Sequence, residues 1–403
     1  MHILLIHQAF AALNEPGGTR HYEFARFLAK QGHQVSIIAS PVSYLTGKDT
    51  QSQQVEIEME GKISIYRAYT YPALHKSFFH RLFSFLSFMV SSFFISIKIK
   101  NVDIIWGTSP PIFQSFTAWL VSKLKHVPFL LEVRDLWPAF AVAVGVLNNR
   151  LLISLSLWLE RFLYRRADRI VVNSPGYIKH VQLKGGQNVT LIPNGADAAA
   201  FTPLNTFKFR KKLGWTDKFI LLYAGAHGMS NDLPVILQAA KLIENYDDIR
   251  TVFIGDGKEK SSLITLAESL RLSNVEFMNP VPKNKISEYL QASDVCIAIL
   301  KPIELYKTTY PNKVFDYMAA GKPIILAIDG VIREVVESAN CGIFCEPGNP
   351  NAIANAVLEM YNDRNKLVKI GKRGKVYLEK NFDRMIIAKE FIDMIEEMVG
   401  SNA

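Results

Sequence analysis

Cysteine is scarce in this chain: there are three in 403 residues, Cys296, Cys341 and Cys345, each in an apolar setting. Three are too few for a disulfide framework and fit a reducing cytoplasm. Cys341 and Cys345 have no histidine or further cysteine close by, which argues against a zinc site. Long apolar runs are missing too. The apolar run Leu82 to Ile97 has 16 residues and five serines, against the roughly 20 that a spanning helix needs. The opening Met1-His-Ile-Leu-Leu-Ile-His-Gln lacks a charged n-region and a cleavage site, so it reads as a first buried strand and not as a signal peptide. RNP, zinc-finger and basic-zipper patterns are absent, and nucleic acid is not an expected partner. Neither an internal repeat nor a G-x-G-x-x-G dinucleotide fingerprint is present.

What is present is apolar and long. The hydrophobic fraction is 49%, as in a globular protein, and 403 residues exceed the roughly 250 to 300 at which single cores stop growing, so two domains are expected. The net charge of +9 is uneven: residues 1–205 carry 20 Lys and Arg against 12 Asp and Glu, a balance of +8, and the remainder balances at +1. A basic first half calls for an anionic partner there, either a phosphorylated substrate or an anionic bilayer surface.

Strands alternate with helices in both halves. Met1 to Gln8 is a strand, Ala9 to Thr19 a loop with Gly17 and Gly18, Arg20 to Lys30 a helix stopped by Gly32, and Val35 to Ala39 the next strand. This is a βαβ unit that sets two glycines over a helix N-terminus. By itself Gly-Gly is as much a turn as a ligand loop. Val55, Ile57 and Met59, then Ile63 and Ile65, alternate as in a hairpin. Phe78 to Lys100 is an aromatic-rich helix with basic flanks, and Arg150 to Arg169 a second helix with Leu151, Leu155, Trp158, Leu159 and Phe162 near one face. Both read either as wrapped helices of the first domain or as interfacial helices anchored by basic residues. Strands at Val102 to Trp106 and Pro128 to Val133 follow, and the second delivers Arg134 and Asp135 to its carboxyl end. There they are either a structural pair or a phosphate fork beside a general base.

Pro193, Asn194, Gly195 and Pro203 place a domain boundary near 205. The alternation then restarts with Phe219 to Tyr223, a glycine-bearing loop from Ala224 to Asp232, and strands at Thr251 to Ile254, Val275 to Met278 and Val295 to Leu300. Two doubly wound sheets are expected. The second half centres on Thr308 to Pro323, TTYPNKVFDYMAAGKP. Here Asn312 is expected to cap a short helix with Lys313 and Asp316 in its first turn, and Gly321 and Pro323 to end it. A helix N-terminus beyond the carboxyl end of a strand suits a phosphate. The alternative is ordinary: Asp316 complements the helix dipole and Lys313 is solvated.

F-D-Y-M-A-A-G-K-P resembles the donor-binding segment of glycosyltransferase family 4, nucleotide-sugar transferases of the GT-B fold. That segment has two glutamates eight positions apart; here Thr308 and Asp316 stand in their places. E-V-R-D-L-W-P at 132–138 is similar to the branch containing proposed N-acetyl-L-fucosamine transferases of O-antigen or capsule synthesis, and the segments 167–174 and 190–203 resemble the family. The resemblance implies an α/β fold of two Rossmann-like domains facing across a cleft. Residues 1–205 would bind acceptor, 206–380 would bind donor, and 381–403 would form a helix crossing back to the first domain.

The resemblance further implies a retaining, metal-independent transfer from a nucleotide diphosphate-sugar, with UDP favoured, to a lipid-linked or glycan acceptor. No cofactor is implied, and no D-x-D pair is present to carry a metal. The enzyme would sit in the cytoplasm, peripheral on an anionic membrane. Its catalytic candidates are Asp135, Arg134 and His227. Donor contacts would fall on Gly17, Gly18, Gly225, His227, Gly228, Gly257, Pro280, Val281, Thr308, Asn312, Lys313 and Asp316. The family's usual Arg and Lys are missing from the 225–232 loop, and His227, Lys313 and backbone N–H groups are the expected substitutes. A catalytically degenerate scaffold in polysaccharide assembly and a sugar-nucleotide epimerase of similar shape are the competing readings.

Overall fold

The computed structural model describes residues 1–12, 18–43, 54–73, 78–201 and 205–400. Their contacts divide the chain into two compact units, one of Met1–Ala12, Gly18–Pro193 and the chain end from Ile387, the other of Asn194–Ile386. Each is built on one sheet.

In the first unit the strands are β1 His2–Ile6, β2 Gln34–Ala39, β3 Val55–Glu58, β4 Ile63–Arg67, β5 Ile104–Ser109, β6 Phe129–Val133, β7 Arg169–Val172 and β8 Val189–Leu191. Their order is β3-β4-β2-β1-β5-β6-β7-β8. All neighbours are parallel except the β3/β4 hairpin, with Leu4 opposite both Ser36 and Ile105. Every residue of β1, β5 and β6 is buried, because helices cover both faces of a parallel sheet and its central strands are apolar throughout. On one face the Arg20–Lys30 helix meets the Arg384–Gly400 helix, with Phe24 stacked on Phe391 at 4.8 Å and Trp106 at 4.7 Å from the same ring.

A second layer joins the helices Phe78–Lys98, Ile112–Lys125 and Arg150–Arg166. Phe85 stacks on Phe113 at 5.9 Å, and Phe162 meets Trp119 at 4.7 Å and Phe116 at 6.3 Å. The segment His80–Lys98 is long and apolar enough by composition to cross a membrane and is only 22% buried. Its connections argue against spanning: it carries the chain from β4 to β5, which pairs with β1 in the same sheet.

The second unit has β9 Phe219–Ala224, β10 Ile249–Ile254, β11 Val275–Met278, β12 Val295–Ile299, β13 Ile324–Ala327 and β14 Gly342–Phe344, ordered β11-β10-β9-β12-β13-β14 and parallel throughout. Both sheets are therefore Rossmann-like and doubly wound. In each the strand order reverses at one place, between β1 and β5 and between β9 and β12, and a crevice opens there beyond the carboxyl ends.

Several boundaries differ from the sequence reading. The change of unit comes at Asn194, before the expected 205, because the residues after it are tied to the second unit. The Asn194 side chain donates to Tyr310 O at 2.9 Å, Arg384 donates to Gly195 O, and Ala196 bridges Asp383. The return to the first unit comes at Ile387. Strand β5 runs on through Ser109, past Trp106. The helix over 312–319 is capped by Pro311 without a side-chain bond, so Asn312 is its first residue and Asp316 stands one turn in.

Candidate functional sites

At the β9/β12 switch point two loops meet, one after β9 and one before the Asn312–Ala319 helix. The β9 loop is pressed against the turn after β10. Gly225 N–H donates to Ile254 O at 3.0 Å, and His227 N–H to Asp256 O at 2.8 Å. This approach requires glycine: a Cβ on Gly255 would stand 1.9 Å from Gly225 O, and one on Gly257 would stand 2.5 Å from His227 O, with φ of +151° and +154°. Gly228 packs less tightly, its nearest neighbour being Asn231.

Inside this cradle His227 is fully buried, ringed by Tyr223, Phe253 and Phe277 at 6.0 to 6.3 Å between centroids. Neither ring nitrogen has a partner among the described residues. Burial first, then the Lys260 charge, pushes the imidazole down to about 4, so the ring is neutral at pH 7 and offers one N–H and one acceptor, not a cation. Unmet polar atoms of this kind are what a ligand or water satisfies.

Lys313 rises from the first turn of the Asn312–Ala319 helix. Its Nζ donates to Tyr223 Oη at 2.8 Å and Asn231 Oδ1 at 2.9 Å and lies 4.3 Å from the centre of the Tyr223 ring. Part of the side chain remains exposed, yet the ammonium end is enclosed, and this burial pushes it down to about 7. No carboxylate pairs with it among the described residues.

Asp316, by contrast, is engaged: Lys283 Nζ lies 2.6 Å from both its oxygens. Lys283 follows the loop that carries Pro280 and Val281 after β11, so that loop and Asp316 are coupled by an ion pair. The Thr308 hydroxyl turns back onto Leu305 O at 2.6 Å, within the Glu304–Thr308 turn. The structure thus gathers Gly225, His227, Gly257 and Lys313 in one cradle, links Asp316 to the 280–283 loop, and leaves Asn312 exposed at the helix start.

The first unit has its own pocket at the β1/β5 switch point, about 500 Å³ and lined by Gln8, Gly18, Arg81, Phe85, Phe113, Arg134, Asp135 and Trp137 among others. Gly18 is therefore part of this pocket; Gly17 lies outside the described residues. Asp135 opens onto the pocket, but protein crowds its carboxyl from the other sides. That desolvation pushes it up to about 6 against the pull of the Arg134 guanidinium and a hydrogen bond from Tyr177. A carboxyl poised near neutrality can exchange protons at physiological pH. Arg134 donates to Pro110 O, and its Nε is buried without a partner.

Behind the pocket Glu132 is fully buried. It takes hydrogen bonds from Arg20 Nε at 2.9 Å, His21 Nε2 at 2.7 Å and Trp106 Nε1 at 3.0 Å. Burial alone would raise its carboxyl; the His21 and Arg20 charges overcome this and hold it far below the carboxylate range. Arg20 also donates to Ile192 O and Pro193 O, the last residues of the unit before the crossing. Its role is therefore to hold the unit's exit, and Glu132 is structural.

Sequence reasoning passed over Tyr223, Asn231, Lys283 and Arg81. None belongs to a motif; only Lys283 carried a local signal, in being a cation just beyond the Pro280-Val281 loop. Among the described residues no three His, Cys, Asp or Glu side chains come together as a metal site would require.

Comparison with known proteins agrees with this architecture. Residues 17–195 match the model of the glycosyl transferase 4-like domain, and residues 205–377 that of the glycosyl transferases group 1. The Escherichia coli K12 protein named "putative colanic acid biosynthesis glycosyl transferase WcaI" is 23% identical over 93% of this chain and 94% of its own length. Among solved structures, sucrose-phosphate synthase from Thermosynechococcus elongatus superposes with a TM-score of 0.82 at 18% identity, over 99% of both chains. Anabaena HepE in complex with UDP-glucose gives 0.75 at 16% identity, over 98% of this chain and 100% of its own. With two family models covering most of its length and the fold to match, the chain belongs to the family 4 glycosyltransferases of GT-B fold.

Proposed function

We propose that this enzyme transfers a sugar, with retention and without a metal, from a nucleotide diphosphate-sugar to a lipid-linked acceptor in cell-surface polysaccharide synthesis. UDP is the favoured nucleotide. The observation that carries the donor half is the cradle at the β9/β12 switch point: a Lys313 ammonium without a carboxylate partner, set at a helix N-terminus beside loops that only glycine allows to close. Such a site supplies N–H groups and a cation to a departing diphosphate, which is the charge that a transfer must stabilise. In the step itself the bond from the sugar C1 to the diphosphate oxygen breaks, the acceptor oxygen bonds C1 on the same face, and the acceptor proton passes to the departing phosphate. His227 offers its neutral N–H to that phosphate, and Lys283 with Asp316 orients the ribose and base. The UDP-glucose complex of HepE and the colanic acid name of WcaI support this choice of donor and pathway class. The Tyr310-Pro311-Asn312-Lys313 loop favours an N-acetylhexosamine as the sugar, by its likeness to the N-acetyl-L-fucosamine branch.

The outer surface of the three-helix layer supports membrane contact. Phe83, Phe94, Leu151 and Trp158 are 61 to 68% exposed there. The three helices contain one acidic residue, Glu160, and it is buried and paired with His180 and Lys184. Exposed cations remain at Lys98, Lys123, Arg161 and Arg165. An apolar face with a purely cationic rim suits an anionic bilayer surface.

The test is calorimetric titration of UDP, GDP, dTDP and CDP into metal-free protein. Binding of UDP above the others, weakened by Lys313→Met, is expected. A folded protein that binds none of the four overturns the reading and moves the weight to a scaffold.

A further inference from the structure

The first unit's pocket is lined by two arginines, each with a buried Nε left unpaired. Arg81, in the first turns of the Phe78–Lys98 helix, has its Nε buried and no hydrogen bond or ion pair among the described residues. Arg134 uses one N–H on Pro110 O and leaves its Nε buried and unpaired. The fully buried arginines of this unit are neutralised, Arg20 by Glu132 at 2.9 Å and Arg67 by Glu56 at 2.7 Å. Around Arg81 and Arg134 the described residues of the lining contain a single acid, Asp135. Two guanidiniums, each with planar N–H forks, against one lining carboxylate leave the cavity net positive and fit a ligand that brings several oxygens and at least one full negative charge.

The wall beside them is apolar and aromatic. Phe85, Phe113 and Trp137 form a row, 5.9 Å and then 6.2 Å between centroids. Phe85 belongs to the same helix that exposes Phe83, Val90, Phe94 and Ile97 on its outer side. A pocket of about 500 Å³ has room for a headgroup and the first units of a hydrocarbon chain, well within the range of small-ligand sites.

We propose that Arg81 and Arg134 bind the phosphate of the acceptor and that the Phe85-Phe113-Trp137 row covers the start of its lipid chain, so the acceptor is a lipid-linked phosphate or diphosphate. The proposal rests on the transferase reading only in calling the occupant an acceptor. The phosphate gives the cations their missing counter-charge, and the row shields the chain where it leaves the bilayer.

The experiment titrates farnesyl diphosphate, farnesol and glucose 1-phosphate into the full chain, its Arg81→Gln variant and its Arg134→Gln variant, with UDP-glucose as a second ligand on each. Farnesyl diphosphate is expected to bind, each variant to weaken it about tenfold or more, and added salt to weaken the wild type more than either variant. In Arg81→Gln the UDP-glucose affinity stays unchanged, and for both variants an unchanged melting temperature shows that they are folded. Equal binding of farnesol and farnesyl diphosphate, or an Arg81→Gln variant that binds as the wild type does, overturns the phosphate site. Glucose 1-phosphate binding as tightly, with the same dependence on Arg81, overturns the lipid half. If farnesyl diphosphate binds as expected and UDP-glucose does not bind the wild type, the transferase reading fails and this one stands.

Discussion

Binding of a nucleotide diphosphate-sugar should weaken as pH rises through neutrality, and Lys313 sets the size of the effect. Burial places its ammonium at about 7 in the free protein, so at pH 6 it is mostly charged and at pH 8 mostly neutral. A diphosphate within its reach restores the charged form, since an anion raises a neighbouring ammonium. Binding above pH 7 therefore takes up a proton, and affinity falls by up to tenfold per pH unit until the bound-state value is passed. Between pH 6 and pH 8 the expected loss is about tenfold, the upper end for a side chain that keeps some exposure. UDP-glucose is the right probe, because UDP has a terminal phosphate that titrates near 6 and would mask the trend. His227, at about 4, stays neutral across this window. Calorimetry at pH 6, 7 and 8 gives the affinities, and repeating it in buffers of different ionisation enthalpy counts the protons taken up. In Lys313→Met the pH slope should vanish and the affinity at pH 6 should drop. A wild-type affinity that is flat from pH 6 to 8, or a slope that survives in Lys313→Met, refutes this account of the site.

Asp135 makes the opposite kind of prediction about stability. Its carboxyl is raised to about 6, so the folded state holds a proton that the unfolded state releases, and this contribution is present below pH 4 and lost as pH rises through 6. Asp135→Asn should therefore melt no lower than wild type at pH 7.5 while losing turnover; a clear drop in melting temperature would make the residue structural. Glu132→Ala strands the Arg20 guanidinium in the core and should cost about 3 to 5 kcal/mol, read by urea denaturation. Its depressed carboxyl keeps that stability at all pH above 5, so a mild effect at pH 7 would contradict the network. Gly255→Ala places a methyl 1.9 Å from Gly225 O and should abolish UDP binding while leaving farnesyl diphosphate binding in the first unit intact. Trp158→Asp and Phe94→Asp should reduce co-sedimentation with anionic vesicles and leave neutral vesicles, to which little binding is expected, unchanged; equal wild-type binding to both lipids would remove the electrostatic part of the membrane argument.

How much of this was readable in advance follows from what each feature depends on. The central strands were legible because strands buried on both faces are apolar runs: Phe219 to Ala224 and Val295 to Ile299 stand out without knowledge of their neighbours. The Arg20–Lys30 helix was legible to its last residue, since its ends are set by local turn chemistry. The cap at Asn312 was misassigned because Pro311 before it already takes the extended conformation that a cap requires, and local rules rank asparagine first. The unit boundary was placed late because prolines and glycines mark turns, whereas the crossing is fixed by long-range bonds from Asn194, Gly195 and Ala196 to residues near 310 and 383.

The site divides in the same way. Lys313, Gly225 and Gly257 could be named from the chain because their function rests on backbone position at a strand end. The state of Lys313 could not, since it depends on Tyr223, 90 positions away. Asp316 is readable from the chain as a donor contact or a complement to the helix dipole; its pairing with Lys283 depends on how the β11 loop returns. Arg81 carried no signal, for an arginine at the start of a basic-flanked helix reads as solvated. Its interest comes only from the pocket it lines, where its Nε is buried and no carboxylate among the described residues pairs with it. Positions come from local sequence, but charge states come from whatever the fold brings next to them. The residues most worth substituting here, Lys313 and Arg81, are accordingly those whose local sequence least reveals their electrostatic surroundings.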